Sequence, residues 1–498
     1  MKVLLVYPRI PDTFWSFSHV LSFVRRKATM PPLGLMTVAA LCPEDWEFRL
    51  KDLNVTRLQD SDIEWADMVF ISAMIIQQEG TEEVIRRVKA IGRPLVAGGP
   101  MFASLTEEFD HVDHLVLGEA EETLPRFLAD LEKGQPAHIY YAEGKPDLKE
   151  TPPPRWDLIE RKQDYQMMPV QFSRGCPFDC EFCDITLLFG RKPRTKGTAQ
   201  MIGELEGLYQ AGWRGSVFMV DDNFIGSMKK AKDFLAELSR WSQKRGDPFS
   251  YTTEASVNLA DDEELMHLMT EAGFVNVFLG LETPEEESLA ECGKKQNQHR
   301  DLIAAVRCIQ GNGLQVQGGF IIGFDSDPPD IFERQIRFIQ ESGVVTAMVG
   351  LLSAIPGTRL YKRLMKEGRI ISQSSGNNCE SGALNFIPTM DREKLLNGYR
   401  RVLETLYEPR VYYERIRIFL ESYNPRKRHR LDIRMVYGLF MALWHLGIRD
   451  RRYTKRYFWR LLFNTLTRKP SLIGEAITHA VYGLHFRRVL LDRVLLER

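Results

Sequence analysis

Cys176, Cys180 and Cys183 fall within eight residues, in the run Cys176-Pro177-Phe178-Asp179-Cys180-Glu181-Phe182-Cys183. Thiolates so spaced can each ligate one iron of an iron–sulfur cube, because such clusters are held by cysteine sulfur. Three ligands leave the fourth iron without a protein donor. An open coordination position separates a reactive metal site from a closed structural one, so that iron can chelate a small molecule. Plainer readings compete. Structural zinc needs a fourth Cys or His, and the nearest other cysteines are Cys42 and Cys292, with no His close by. A disulfide framework fits poorly with seven cysteines in 498 residues, a sparse and odd set. Chance clustering is the remaining reading.

The thiols follow the apolar run Met168–Ser173, which reads as a buried strand. Further strands are expected at Ser216–Val220, Tyr251–Ala255, Val275–Leu281, Gln317–Gly323 and Thr346–Leu352. Helical stretches such as Thr198–Ala211, Asp262–Ala272 and Asp330–Glu341 separate them. Six βα units across 166–370 predict a partial TIM barrel, an architecture whose chemistry sits at the C-terminal strand ends. The cysteines lie in the loop after its first strand. Upstream, residues 1–140 alternate the strands Val3–Val6, Met68–Ser72, Leu95–Gly98 and His114–Leu117 with helices. Short continuous apolar runs between helices predict a parallel, doubly wound, Rossmann-like sheet that takes ligands at its C-terminal strand ends. Residues 141–165, stiffened by Pro152-Pro153-Pro154, read as a linker, and 371–498 as a mostly helical unit. The fold class is α/β.

A chain of 498 residues allows two to four domains. At 44% hydrophobic and 27% charged it is not a mostly disordered chain. No window reaches about 18 uninterrupted apolar residues, so no ordinary membrane span is expected. Met1–Pro8 carries no signal-peptide pattern, and a cytoplasmic, reducing location follows as an expectation. The formal net charge of −1 hides an asymmetry. Residues 426–498 hold seventeen Lys/Arg against five Asp/Glu, a +12 unit on a body of −13. There, Met435–Ile448 is apolar except for His445 and too short to span a bilayer. Arg449, Arg451, Arg452, Lys455, Arg456 and Arg460 follow, interleaved with Tyr453, Tyr457, Phe458 and Trp459. This pattern suits peripheral contact with the inner membrane face. It also suits a helical cap packed on the barrel or, less well, nucleic acid.

The cysteine spacing, with Phe182 just before the third cysteine, resembles the signature of the radical S-adenosylmethionine (SAM) superfamily. The resemblance implies that SAM chelates the open iron of a 4Fe-4S cluster and that one electron into its sulfonium gives a 5′-deoxyadenosyl radical. Later strand ends resemble SAM-binding positions of that superfamily. Asp221-Asp222-Asn223-Phe224 would receive the SAM ammonium, against the alternative of an ordinary Asx turn. Glu254 and Ser256 would meet the ribose or the carboxylate. Glu282 lies in Gly280-Leu281-Glu282-Thr283, and Gly319 would let backbone approach the adenine. Cys379 is a candidate proton or hydrogen-atom donor, with an ordinary thiol as the alternative, and Cys308 reads as a core residue in a helix.

The N-terminal unit resembles the cobalamin-binding module joined to many radical SAM enzymes, through Pro31-Pro32-Leu33-Gly34, Gly98-Gly99-Pro100 and Gly118-Glu119-Ala120-Glu121. The glycines would let a flat macrocycle lie close on the strand ends, and Ser72, Met74 and Gln77 would face its lower side. The Asp-x-His-x-x-Gly motif of other cobalamin proteins is absent, and Met101 stands where a His often follows Gly-Gly-Pro. The C-terminal unit resembles the tail of the branch that includes the hopanoid C-2 methylases, through Gly357–Tyr361, Leu384–Pro388 and Tyr407–Tyr413. Together these resemblances imply a cobalamin-dependent radical SAM methyltransferase that methylates an unactivated carbon of a small-molecule or lipid substrate. An electron donor such as flavodoxin or ferredoxin would serve it. The alternatives are a radical SAM cyclase, ring-contracting or C–C bond-forming enzyme, and a non-catalytic iron–sulfur or cobalamin-binding regulator.

Overall fold

The computed structural model describes residues 1–378, 384–426, 433–449 and 454–495. Six parallel strands form the first sheet: β1 (Lys2–Tyr7), β2 (Glu47–Asp52), β3 (Met68–Ser72), β4 (Leu95–Gly98), β5 (His114–Leu117) and β6 (Ile139–Tyr141). Their spatial order is β2-β1-β3-β4-β5-β6. Alternation fills both faces. Leu4, Val6, Val69 and Ile71 pack on one side, Val3, Leu5, Met68 and Phe70 on the other. The order reverses between β1 and β3, and such a switch point opens a crevice at the C-terminal strand ends. Four of these strands match expectation. β2 and β6 are edge strands whose short or charged sequences hide them, as in Glu47-Phe48-Arg49-Leu50-Lys51-Asp52; edge strands carry charge for this reason.

The second sheet runs β7 (Met167–Val170), β10 (Gly215–Met219), β11 (Phe249–Ala255), β12 (Phe274–Glu282), β13 (Gln315–Ile322) and β14 (Ala347–Leu351), all parallel and in sequence order. A small antiparallel ribbon, β8 (Ser173–Arg174) with β9 (Arg194–Thr195), closes the loop that carries the cysteines. Helices 198–210, 228–244, 263–272, 302–311 and 331–342 connect the strands, which gives the expected open (β/α)6 arrangement. Cys308 departs from expectation: it is exposed. The buried stripe of its helix is Leu302, Ala305, Val306 and Ile309, and position 308 falls off that face.

The sheet ends in an edge, and the helical unit covers it. Helix 392–407 starts at the Asp391 N-cap, whose side chain accepts from Lys394 N, and helix 409–422 starts at Glu408 and Pro409. Tyr399 donates to the Val349 carbonyl at 3.1 Å and Tyr407 to the Ala347 carbonyl. Both carbonyls lie on β14, so side-chain hydroxyls replace a missing strand. The opposite edge is met by residues 28–29, since Met167 N donates to the Thr29 carbonyl at 2.9 Å. The segment between β1 and helix 33–41 also reaches the helical unit: Phe14 is fully buried against Tyr407 and Phe486.

Candidate functional site

Gly175 opens the cysteine loop with φ +91°, and a Cβ there would sit 2.8 Å from the Gly190 carbonyl oxygen. Only glycine lets the two limbs of the loop cross so closely. Within the loop Cys180 is buried and Cys176 and Cys183 are partly so; the six described cysteines are free thiols. Cys379 lies outside the described residues. Burial is the largest influence on all three loop thiols and pushes their pKa up. Neighbouring donors oppose it. Asn223 donates to Cys176 Sγ at 3.8 Å and Gln296 to Cys180 Sγ at 3.9 Å. Iron binding would displace the protons, as metal ligation by thiolate does generally.

No three or more described His, Cys, Asp or Glu side chains converge to hold one metal ion. Thiolates that each bind a different iron of a cube need not converge, whereas four zinc ligands must. Three thiol donors are the set that leaves one iron of a cluster open, whereas structural zinc takes four. Lys294 adds a positive charge beside the thiols. Burial opposes that charge, but Glu282 and Cys180 outweigh burial and hold its pKa up. Its Nζ lies 2.6 Å from Glu282 Oε1. Glu282 has φ +61° at the end of β12, where pairing with β13 shifts register. A non-glycine residue held there marks strain that surrounding contacts must fix. Asn297 helps, donating to the Gly280 and Leu281 carbonyls at 3.0 and 3.1 Å.

The strand ends sort into two roles. Asp221 faces the cysteine loop and not an open cleft: it accepts from Phe172 N, Ser173 N and Ser173 Oγ at 2.7–2.8 Å. Asp222 accepts from Gly175 N at 2.8 Å. The two carboxylates thus tie β10 to the start of the loop, a job the local sequence did not reveal. Burial pushes Asp221 up to about 7 and Asp222 up to about 6. Asn223 also donates to Ser256 Oγ at 3.1 Å, so the second and third strand ends are coupled. Glu254 projects from the β11 face that carries Thr252, and burial followed by repulsion from Asp222 and Asp221 pushes it up to about 8. Gly319 lies under the Phe278 ring, where a Cβ would be 2.9 Å from Cζ. Phe182 packs toward Phe324, with centroids 6.3 Å apart.

On the first sheet, Ser72 ends β3, and Gly99, with φ +94°, brings backbone so close that a Cβ would be 2.7 Å from Ser72 Oγ. Gly98 approaches the Val116 carbonyl oxygen and Gly118 the Ala142 Cβ in the same way. Pro100 begins the helix that follows β4. Met74 is exposed at this end. Gln77 is not: it is buried, donates to the Pro8 carbonyl at 2.6 Å and accepts from Met74 N at 2.9 Å. It therefore shapes the crevice without lining it. Glu119 is likewise engaged, pairing with Arg174 at 2.8 Å and Arg194 at 2.7 Å. Glu121 holds Arg174 from a second side at 2.7 Å. Arg174 lies two residues before Cys176. These pairs, which sequence reasoning missed, join the C-terminal end of the first sheet to the C-terminal end of the second.

Residues 22–128 match the B12 binding domain family, 170–339 the Radical SAM superfamily, and 358–493 a domain of unknown function. An uncharacterized methyltransferase from Synechocystis is 44% identical over 98% of this chain and 91% of its own. The hopanoid C-2 methylase of Rhodopseudomonas palustris is 32% identical over 94% of this chain and 90% of its own. The solved structure of the cobalamin-dependent radical SAM enzyme OxsB, with aqua-cobalamin and SAM bound, superposes with a TM-score of 0.63 at 15% identity, covering 98% of this chain and 79% of that one. The methyltransferase TsrM from Kitasatospora setae, with cobalamin and a [4Fe-4S] cluster bound, superposes with a TM-score of 0.61 at 14% identity, covering 96% and 98%. The methylase relatives do not favour the ring-forming alternative. The chain belongs to the cobalamin-dependent radical SAM methyltransferase family, in the group that contains hopanoid C-2 methylase.

Proposed function

We propose that the enzyme methylates an unactivated carbon of a lipid or isoprenoid substrate, with Cys176, Cys180 and Cys183 as the cluster ligands. The facing C-terminal edges of the two sheets, joined by Arg174 and Glu119, carry this reading. Through that pair the segment leading into the thiol loop meets the C-terminal end of the first sheet, the end at which a doubly wound sheet takes its ligand. When bound there, the cluster supplies an electron to SAM and cobalamin supplies the methyl group. Asp221 and Asp222 hold the loop. Asn223, Ser256, Glu254 and Glu282 offer polar groups at the ends of consecutive strands for the amino-acid and ribose parts of SAM, while Gly319 supplies backbone. Ser72, Met74, Gly98, Gly99, Pro100 and Gly118 form the crevice for the macrocycle.

The ring of Trp15 lies 4.6 Å from that of Phe278, which projects from the β12 face opposite the helix-packed residues Val277 and Leu279. An aromatic pair there favours an apolar substrate. Such a substrate comes from a bilayer, so contact with the inner membrane face belongs to the same reading, as does an electron donor of flavodoxin or ferredoxin type.

The test is anaerobic purification with cobalamin, metal analysis, and incubation with SAM, reductant and a lipid extract. About four irons and one cobalt per chain are expected, with S-adenosylhomocysteine and 5′-deoxyadenosine formed together and a methylated lipid. Deoxyadenosine without S-adenosylhomocysteine would overturn methyl transfer. Absence of iron from the wild-type chain would overturn the cluster assignment.

A further inference from the structure

No described helix is long and apolar enough to cross a membrane, yet two helices of the C-terminal unit expose large apolar side chains in ordered rows. Helix 433–442 continues through a wider turn to Arg449 and shows Phe440, Trp444 and Ile448, at a spacing of four. Helix 454–468 shows Trp459, Phe463 and Leu466. Phe440 is 64% exposed, Ile448 62% and Phe463 68%. The rows adjoin, because the Trp459 indole N–H donates to the Gly447 carbonyl at 3.0 Å and the ring lies on Gly447.

The second helix is divided lengthwise. Phe458, Leu461, Leu462 and Thr465 are buried, the exposed apolar row adjoins them, and Lys455, Arg456 and Arg460 border that row. Among the described residues, no carboxylate lies within ion-pair distance of Arg449, Lys455, Arg456 or Arg460. A solvated cap would carry polar residues in the apolar row. Exposed aromatic and aliphatic residues, rimmed by basic side chains, match the boundary between acyl chains and anionic headgroups.

We propose that this face docks the enzyme on an anionic phospholipid bilayer, the apolar row entering the headgroup boundary and the basic rim meeting lipid phosphates. It gives a location to the lipid-substrate reading, on which its purpose rests, but its test reads binding alone.

The full-length chain is mixed with vesicles of phosphatidylcholine alone and of equimolar phosphatidylcholine and phosphatidylglycerol. Co-sedimentation is expected with the second only, weakened by salt, with a blue shift of tryptophan fluorescence from Trp444 and Trp459. Replacing Lys455, Arg456 and Arg460 by Gln should lower partitioning about 100-fold, at about fivefold per basic residue. Phe440→Ser with Phe463→Ser should abolish the blue shift, and both side chains are exposed, so melting should not change. Equal binding to both vesicles, or binding to neither, overturns the proposal. A concentration-dependent dimer lost in the Phe440/Phe463 variant assigns the face to a second copy and also overturns it. If binding holds but no lipid is methylated, the surface stands and the substrate reading falls.

Discussion

Glu119 and Arg174 are bonded at 2.8 Å although one follows β5 of the first sheet and the other precedes the cysteine loop of the second. Both side chains are nearly closed to solvent, Glu119 at 2% exposure and Arg174 at 12%. Burial alone would lower the Arg174 pKa. Glu121 and Glu119 outweigh burial and hold its pKa up, so the guanidinium stays charged and forked between two carboxylates. The residue that orients the thiol loop is thus positioned by the cobalamin-type domain.

Removing Glu119 leaves Arg174 paired with Glu121 and Arg194 bonded to backbone carbonyls, at a cost of about 1–3 kcal/mol. Glu119→Ala should therefore lower stability by that order and loosen the loop, read as a lower melting temperature and faster release of iron to a chelator. Arg174→Lys should not restore it, because lysine lacks the planar fork. Wild-type iron retention in Glu119→Ala would show that the loop is held by Asp221 and Asp222 alone.

Gly280 makes a sharper local test. A Cβ there would lie 2.6 Å from Lys294 Nζ and closer still to Glu282 Oε1. Gly280→Ala should pry apart the buried pair beside Cys180 and cost iron occupancy while the circular dichroism of the barrel persists. Gly203→Ala, in helix 198–210 with nothing within 4 Å of its Cβ, should instead stabilise by about 0.5–1 kcal/mol. Equal behaviour of the two variants would remove the steric argument.

The edge of β14 offers a third. Tyr399→Phe and Tyr407→Phe each leave a buried strand carbonyl without its hydroxyl donor, at a cost of about 1–3 kcal/mol. The effects should add, since the two sit two turns apart on one helix. Denaturant midpoints should shift with little change in slope. Unchanged midpoints would mean that water reaches the edge.

Much of this was legible in the chain. Cys176, Cys180 and Cys183, the glycines at strand ends and the buried runs are local signals, and strand periodicity placed each central strand within two or three residues. β2 and β6 were hidden because an edge strand need not be apolar. The tasks of Asp221, Gln77 and Glu119 were hidden for another reason. Their partners, Ser173, Pro8 and Arg174, lie 48, 69 and 55 residues away, and no local period encodes a partner at that range. Phe14 is the extreme case, buried against Phe486.

That last contact also makes the fold sensitive to acid. His485 is buried beside Phe14, its Nε2 3.1 Å from the Thr13 carbonyl oxygen and 3.2 Å from that of Phe14. Burial, then His19, presses its pKa down to about 4, while burial, then Arg415, presses His479 down to about 3. Both rings are neutral in the folded chain and would protonate near pH 6.5 when unfolded. Their contribution is complete above about pH 6.5 and is lost as pH falls toward 4 and then 3. At about pH 5 each ring costs about 2 kcal/mol relative to neutral pH. Melting temperature should therefore fall between about pH 7 and pH 5, and His485→Gln, which keeps a donor for the two carbonyls, should remove roughly half of that slope. A wild-type melting temperature that stays level across this window would show that both rings reach water, and with it that the N-terminal segment does not seal the helical unit.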